Sequence, residues 1–333
     1  MSGRARVAGF TLAALAAIAI LATPAAAQSD YPNRPIQLIV PYGPGGVADV
    51  GMRIMAEKLS VRLKQNVVIE NRPGAAGIVA AKAVATAAPD GYNVLMTGNN
   101  NAIAVALFKS LPYDILKDFA STSTVSFFDL LIVVKAESPN KNLQDIVKAA
   151  KANPGKLNIG TINPGSTQNL AAELFKNVTG INAQVVPFRT SADMATALLR
   201  GDLDVMFEFY TAAHGLLSDK KVIALASTGP KRSAYMPEVP TALEAGIKDF
   251  EVLSWNGLSV PAATPKPVID ILVKGLNDVL PDPSIQERSK TLGMEMRGGT
   301  PAEMDKRMKD DIVKWGAVTE KAGIGRASCR ERV

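Results

Sequence analysis

Apolar positions along the chain fall into two alternating kinds of segment. Short continuous runs at residues 36–40, 67–69, 92–96, 130–134, 157–160, 184–186, 205–209 and 222–226 have the length and the β-branched content of buried strands. Between them the spacing changes to three and four. Met52, Met55, Ala56, Leu59 and Leu63 share one face of a helix over 49–64, and similar patterns predict helices over 75–87, 143–152, 167–178, 192–199 and 211–218. Asn142 stands where a helix cap belongs, and Pro89-Asp90-Gly91 and Asn153-Pro154-Gly155 are stop signals. Residues 228–240, rich in Pro, Ser and charge, read as a loop or linker, and a strand over 252–258 precedes three closing helices. No sequence repeat stands out.

Strands alternating with helices predict an α/β fold with mainly parallel sheets. Helices dominate after residue 250, with too few strands for a sheet of their own. They are expected to return and cover the sheet built by the N-terminal third. The chain then crosses twice, near 126–136 and 245–258, between two hinged lobes with a cleft. The expected boundaries are 28–130 for the first part of lobe 1, 131–249 for lobe 2 and 250–324 for the returning part of lobe 1.

Composition changes the picture mainly at the two ends. The 333 residues are 47% apolar and 20% charged with one Cys, which excludes a disordered chain and a disulfide scaffold. Residues 1–27 open with Arg4 and Arg6, continue through an apolar run of about 13 residues and finish on small residues, the pattern of a secretory signal peptide. Residues 325–333 are basic and hold the sole Cys, and they are expected to be a non-native tail. Five of the 37 basic residues but one of the 31 acidic ones lie in these ends, so the body carries a net charge of only +2. The footprint of a nucleic-acid binder is gone.

Candidate chemistry concentrates where strands hand over to helices. In Tyr42-Gly43-Pro44-Gly45-Gly46-Val47-Ala48-Asp49, glycines admit close approach to the backbone and the helix start offers free N–H groups to an anion. Asp49 reads either as a cap or as a receptor for a cation. The same loop fits Gly-x-Gly-x-x-Ala through Gly43, Gly45 and Ala48, with Glu70 ending the next strand, so a dinucleotide-binding oxidoreductase is the rival reading. Further turns of this kind carry Asn99 and Asn100, and Thr161, Ser166, Thr167 and Asn169, as neutral donors facing across the cleft. Asp204 and Glu208 lie around a strand and could form a carboxylate pair, but nothing marks one, and ordinary loop or surface charge is the better reading of them. A lone His214 without metal-ligating partners and the absence of a Gly-x-Ser-x-Gly elbow argue against a metal centre and an exported hydrolase, while the export signal and Pro44, which removes a donor beside the phosphate, argue against a nicotinamide cofactor.

At this point an ordered series of stretches resembles the substrate-binding receptors of tripartite tricarboxylate transporters, the Bug-type proteins. It comprises Tyr31-Pro32-Asn33-Arg34-Pro35, Pro44-Gly45-Gly46 with Asp49, Glu70-Asn71-Arg72-Pro73-Gly74, Ala88-Pro89-Asp90-Gly91-Tyr92 and Leu111-Pro112-Tyr113-Asp114. Asn153-Pro154-Gly155-Lys156-Leu157, Pro237-Glu238-Val239-Pro240-Thr241, Glu244-Ala245-Gly246 and Trp255 continue it, so that it covers residues 31 to 324. The resemblance implies a type II-like periplasmic binding protein, monomeric and not an enzyme. Such a protein closes on a small carboxylate (an organic, amino or aromatic acid) and delivers it to membrane permease subunits or a sensor. It also implies that main chain and ordered water at Pro44, Gly45, Gly46 and Asp49 grip the carboxylate opposite Ser166 and Thr167. Three departures bear on ligand choice: Gly43 replaces a proline, Asn169 a histidine, and Val185-Val186-Pro187-Phe188-Arg189-Thr190 a more polar pocket wall, leaving Phe188 there.

Overall fold

A computed structural model of the chain describes residues 30–324. The expected signal peptide and C-terminal tail lie outside the described residues. Strand β1 (Ile36–Val40) is apolar on both faces and buried, as a strand covered by helices on two sides must be. It pairs in parallel with β2 (Val67–Asn71) and β3 (Asn93–Gly98). Helix α1 (Val47–Leu63) turns Met52, Met55, Ala56, Leu59 and Leu63 inward, and Lys64 ends it in the left-handed region at φ 55°. The expected helix over 75–87 is broken. A 3₁₀ turn (Ala75–Gly77) precedes α2 (Ile78–Ala85), because Ala76 and Gly77 both have positive φ.

Two elements carry no periodic signal in the sequence. Helix α3 (Asn99–Leu107) follows β3 directly where only a turn is expected, and strand β4 (Phe119–Lys135) is far longer than the expected 130–134. Its early part is rich in Ser and Thr yet buried. The hydroxyls are satisfied locally: Thr122 donates to the Leu258 carbonyl at 2.8 Å and Ser123 to that of Gly299 at 3.0 Å. A buried strand can therefore hold small polar side chains without the cost of unpaired groups.

The next segment alternates as expected. It comprises α4 (Leu143–Ala152), β5 (Leu157–Ile162), α5 (Thr167–Thr179), β6 (Ala183–Phe188), α6 (Ser191–Arg200), β7 (Val205–Phe209), α7 (Tyr210–Ser218) and β8 (Val222–Ser227). Asn142 caps α4 by accepting the Asp145 N–H at 2.9 Å. Strand β9 (Leu253–Pro261), helices α8 (Lys266–Val279) and α9 (Pro283–Lys290), the short β10 (Glu295–Met296) and α10 (Pro301–Lys321) complete the chain. Among the described residues no helix is long and apolar enough to cross a membrane.

Strand order is β2-β1-β3-β9-β4-β7-β5-β6, with β10 and β8 also on β4. The outer three strands of each half are parallel, while the inner strands are antiparallel. Strand β4 belongs to both halves: residues 119–129 pair with β9, and 130–135 with β7 and β8. Three register shifts along it, at 121/123, 124/126 and 132/133, are the bulges that let one strand bend between two sheets. The closing helices α8 and α9 cover the first sheet, packing Leu272, Leu276 and Ile285 with Met52 and Met55 of α1. A second apolar cluster runs from Ile39 and Leu95 through Trp255 to Phe175 and Phe207, so the core is continuous between the halves.

The two crossings are tied by one residue. Thr228 is fully buried and exchanges backbone hydrogen bonds with both strands, its N–H to the Leu130 carbonyl at 2.9 Å and its carbonyl from the Val252 N–H at 2.8 Å. Its hydroxyl accepts the Leu130 N–H at 2.9 Å and donates to the Val252 carbonyl at 2.7 Å. The segment expected to start a linker is therefore a buried stitch. The isosteric Thr228→Val variant would leave two buried groups unpaired at about 1–3 kcal/mol each. Scanning calorimetry should show its melting midpoint lowered by at least about 4 °C, and an unchanged midpoint would contradict this role.

Candidate functional site

Between the halves lies a cleft of about 740 Å³. It opens at the carboxyl ends of the parallel strands, where loops from both sheets converge. Pro41, Tyr42, Gly43, Gly46, Val47 and Ala48 line it from the first half, and Asn163 to Gln168 from the second. A neighbouring cavity of about 580 Å³ shares Phe128 with it, but the Asp129 carboxylate at its base is already engaged by the hydroxyls of Ser233 and Tyr235. The larger cleft is where unmatched polar groups gather.

Its two main loops follow one pattern, Pro-Gly-x-x-x-Asp/Asn: Pro44-Gly45-Gly46-Val47-Ala48-Asp49 and Pro164-Gly165-Ser166-Thr167-Gln168-Asn169. Gly45 and Gly165 have φ of 85° and 80°, which L side chains rarely adopt. The turned glycine N–H is accepted by the third helical residue, Asp49 at 2.8 Å in one loop and Asn169 at 3.0 Å in the other. Each loop is thereby locked, and each aims a helix N-terminus at the cleft. The repeat is short and its spacing is shared with ordinary caps, so sequence reading passes over it.

The two starts differ in one respect. Helix α5 is capped, the Ser166 hydroxyl accepting the Asn169 N–H at 3.1 Å. Gly46 has no side chain to cap α1, so the first N–H groups of that helix have no intrahelical acceptor and face the cleft. The side-chain carboxylate of Asp49 is already engaged within the protein. It is 1% exposed and bound by Arg53 at 3.0 Å and Asn71 at 2.7 Å besides Gly45. Burial pushes its carboxyl up, but the hydrogen bonds from Arg53, Asn71 and Gly45 outweigh this and hold it below the usual carboxylate value.

Several other expected ligand residues lie outside the cleft lining. Asn99 is buried, donating to Thr167 Oγ1 at 3.0 Å and accepting the Trp315 indole N–H at 2.6 Å, so it bridges α10, α3 and α5. Thr161 is buried beneath Asn169, whose amide reaches its hydroxyl at 3.4 Å. Phe188 packs half-buried on the cluster around Met194, away from the cleft lining. Asp204 is exposed before the start of β7 and accepts the Asn158 N–H at 2.7 Å, so it forms no pair with Glu208 at the far end of the strand. Pro44 and Gly45 shape the turn but do not line the cleft.

Tyr42, Gly46, Asn100, Ser166, Thr167 and Glu208 do line it. The walls between them are apolar, with Ile103, Leu107 and Phe108 opposite Phe128 and Phe209, whose rings meet edge to face at 5.1 Å. Sequence reading misses Phe108 and Phe128 because α3 and β4 show no clear periodicity, and Phe209 because a continuous apolar run does not say which of its residues meets a cleft. Among the described residues no group of three His, Cys, Asp or Glu side chains could hold a metal ion, and His214 stacks near Tyr210 at 5.0 Å.

Comparison with known proteins gives this cleft a context. Residues 51–324 match the model of the "Tripartite tricarboxylate transporter family receptor". Protein BugT of Bordetella pertussis is 32% identical over 309 residues, covering 92% of this chain and 94% of its own length. The structure of the periplasmic binding protein BugD superposes with a TM-score of 0.75 at 32% identity, covering 89% of this chain and all of BugD. Rpa4515 of R. palustris, solved with adipate, reaches 0.78 at 30% identity, covering 90% of this chain and all of that one. The two-lobe fold and a match across most of the chain agree: this protein belongs to the tripartite tricarboxylate transporter receptor family, whose members are solute-binding receptors and not enzymes.

Proposed function

We propose that this receptor captures a small carboxylate in the cleft between its halves and hands it to a tripartite tricarboxylate-type permease or a sensor. In this reading residues 1–27 export the chain to the periplasm, residues 28–130 and 250–324 form one lobe and 131–249 the other, and the protein acts as a monomer. The observation that carries it is the uncapped start of α1, aimed into the cleft and opposed by a second loop of the same design. Adipate bound to Rpa4515 shows that a relative accepts a ligand of this class. The oxidoreductase and hydrolase readings fall away with the family.

Magnitudes indicate how the work is divided. A hydrogen bond to a charged carboxylate is worth about 1.5–3 kcal/mol net. Three or four amount to about 5–12 kcal/mol, against an association cost of at least about 4 kcal/mol. Micromolar affinity needs about 8 kcal/mol, so the amides of α1 alone fall short. Ser166, Thr167 and the apolar walls supply the remainder when the halves close, and closure is then the population shift that the ligand drives.

Gly46 separates binding from folding. Its φ of −73° suits any residue, and a Cβ built there meets nothing within 4 Å. Gly46→Val should therefore keep its melting midpoint within a few degrees of the parent, yet lose the thermal stabilisation given by a panel of mono- and dicarboxylates, amino acids and aromatic acids. Retained stabilisation would contradict the anion site. Asp49 gives the converse test. Because its folded carboxyl lies below the ordinary 3.8, its contribution is present above that value and lost as pH falls through the folded one. Asp49→Asn should melt lower than the parent at neutral pH, by about 1 kcal/mol given that Arg53 is half exposed, and the gap should close in acid. A gap that persists in acid would show that the charge is not what locks the loop.

A further inference from the structure

Among the described residues Glu208 is the one acidic side chain that lines the cleft, and its two oxygens are treated differently. Oε1 accepts from Gln168 Nε2 at 3.0 Å and from the Phe209 N–H at 2.7 Å. Oε2 has no hydrogen-bond partner, although the residue is 2% exposed. The Ser191 hydroxyl faces the carboxylate without forming a bond to that oxygen. A buried carboxylate oxygen without a donor is costly, and fold and side-chain packing leave this one aimed at the space a ligand would fill.

Charge is distributed asymmetrically across the cleft. On the α1 side Asp49 is balanced by Arg53, so the helix start remains available to an anion. On the opposite side Gln168 holds Glu208 beside the first turn of α5; its hydrogen-bond partners, Gln168 and the Phe209 amide, and the neighbouring Ser191 hydroxyl are all neutral. Among the described residues no cation offsets it there; burial pushes its carboxyl up, and an ammonium group beside it would restore the charged form. Asn100 Oδ1 is also without a partner, but an amide can reverse and present N–H, whereas an ionised carboxylate can only accept.

We infer that Glu208 selects ligands whose far end is a cationic hydrogen-bond donor, so that the receptor prefers zwitterions, with a carboxylate at α1 and an ammonium group at Glu208 Oε2, over dicarboxylates. The apolar walls around Phe108, Phe128 and Phe209 take the body of such a ligand. This inference rests on the carboxylate reading above. It sets this chain apart from Rpa4515, which was solved with a dicarboxylate.

Ligands matched in length but differing only at the far end provide the test: 4-aminobutanoate with succinate, 5-aminopentanoate with glutarate, and 6-aminohexanoate with adipate. Titration calorimetry of the parent protein at neutral pH should show at least one amino acid binding about tenfold or more tighter than its diacid, which needs no variant to interpret. Glu208→Gln, which keeps an acceptor for Gln168 and puts an N–H at Oε2, should abolish that preference by weakening the amino acid about tenfold while sparing or improving the diacid. A parent protein that favours the diacids, or an unchanged preference in Glu208→Gln, overturns the selection by Glu208. If these ligands bind in a Gly46-dependent way without discrimination, only this inference falls. If none binds and Gly46→Val behaves as the parent, the carboxylate reading falls with it.

Discussion

A backbone N–H at a helix start has no intrahelical acceptor and must be met by water, a side chain or a ligand, and the start of α1 presents several of them to the cleft. The sequence could have capped that helix with Ser or Asp, as it caps α5 with Ser166 and α4 with Asn142. At Gly46 it does not. The remainder of the loop keeps this unmet demand in place. Gly45 takes the left-handed turn, Asp49 accepts its N–H, and Arg53 and Asn71 restrain Asp49. The acidic residue nearest the anion site is thus consumed in building it, and its charge is offset by Arg53. An anion entering the cleft meets oriented amides and no free carboxylate on that side.

The hinge follows from a second accounting of polar groups. One bent strand, β4, serves both sheets, and Thr228 joins it to the returning chain at Val252 with every polar atom matched. Such a stitch resists separation of the crossings, and the closure proposed above would turn about it. Farther out, Asn99 joins Thr167 across the halves and is itself held by Trp315. The residues that first resemble ligand donors thus include the contacts that bring the halves together. In the proposed function, binding energy released in the cleft would act on the same surfaces.

Much of this was legible in the sequence, for definable reasons. The strand over 205–209 and the helix over 143–152 were read to the residue, because a continuous apolar run and a capped amphipathic pattern are local signals. Strand β4 was not, since its Ser and Thr are buried through bonds to distant carbonyls that no window of sequence contains. Asp204 and Glu208 looked alike as charges around one strand. Only the direction of β7 separates them, placing Glu208 at the carboxyl end where the cleft opens and Asp204 at the other. Asn99 and Asn100 are neighbours of one kind with opposite uses, and helix α3 decides which of them faces inward.

The account depends on where an acid group comes to rest. A crystal structure of the chain grown with a saturating carboxylate measures that directly. One carboxylate should lie with its oxygens about 3 Å from the amides of Val47 and Ala48, with the Ser166–Thr167 loop closed over it. A ligand bound elsewhere, or those amides satisfied by the protein's own side chains, would contradict it.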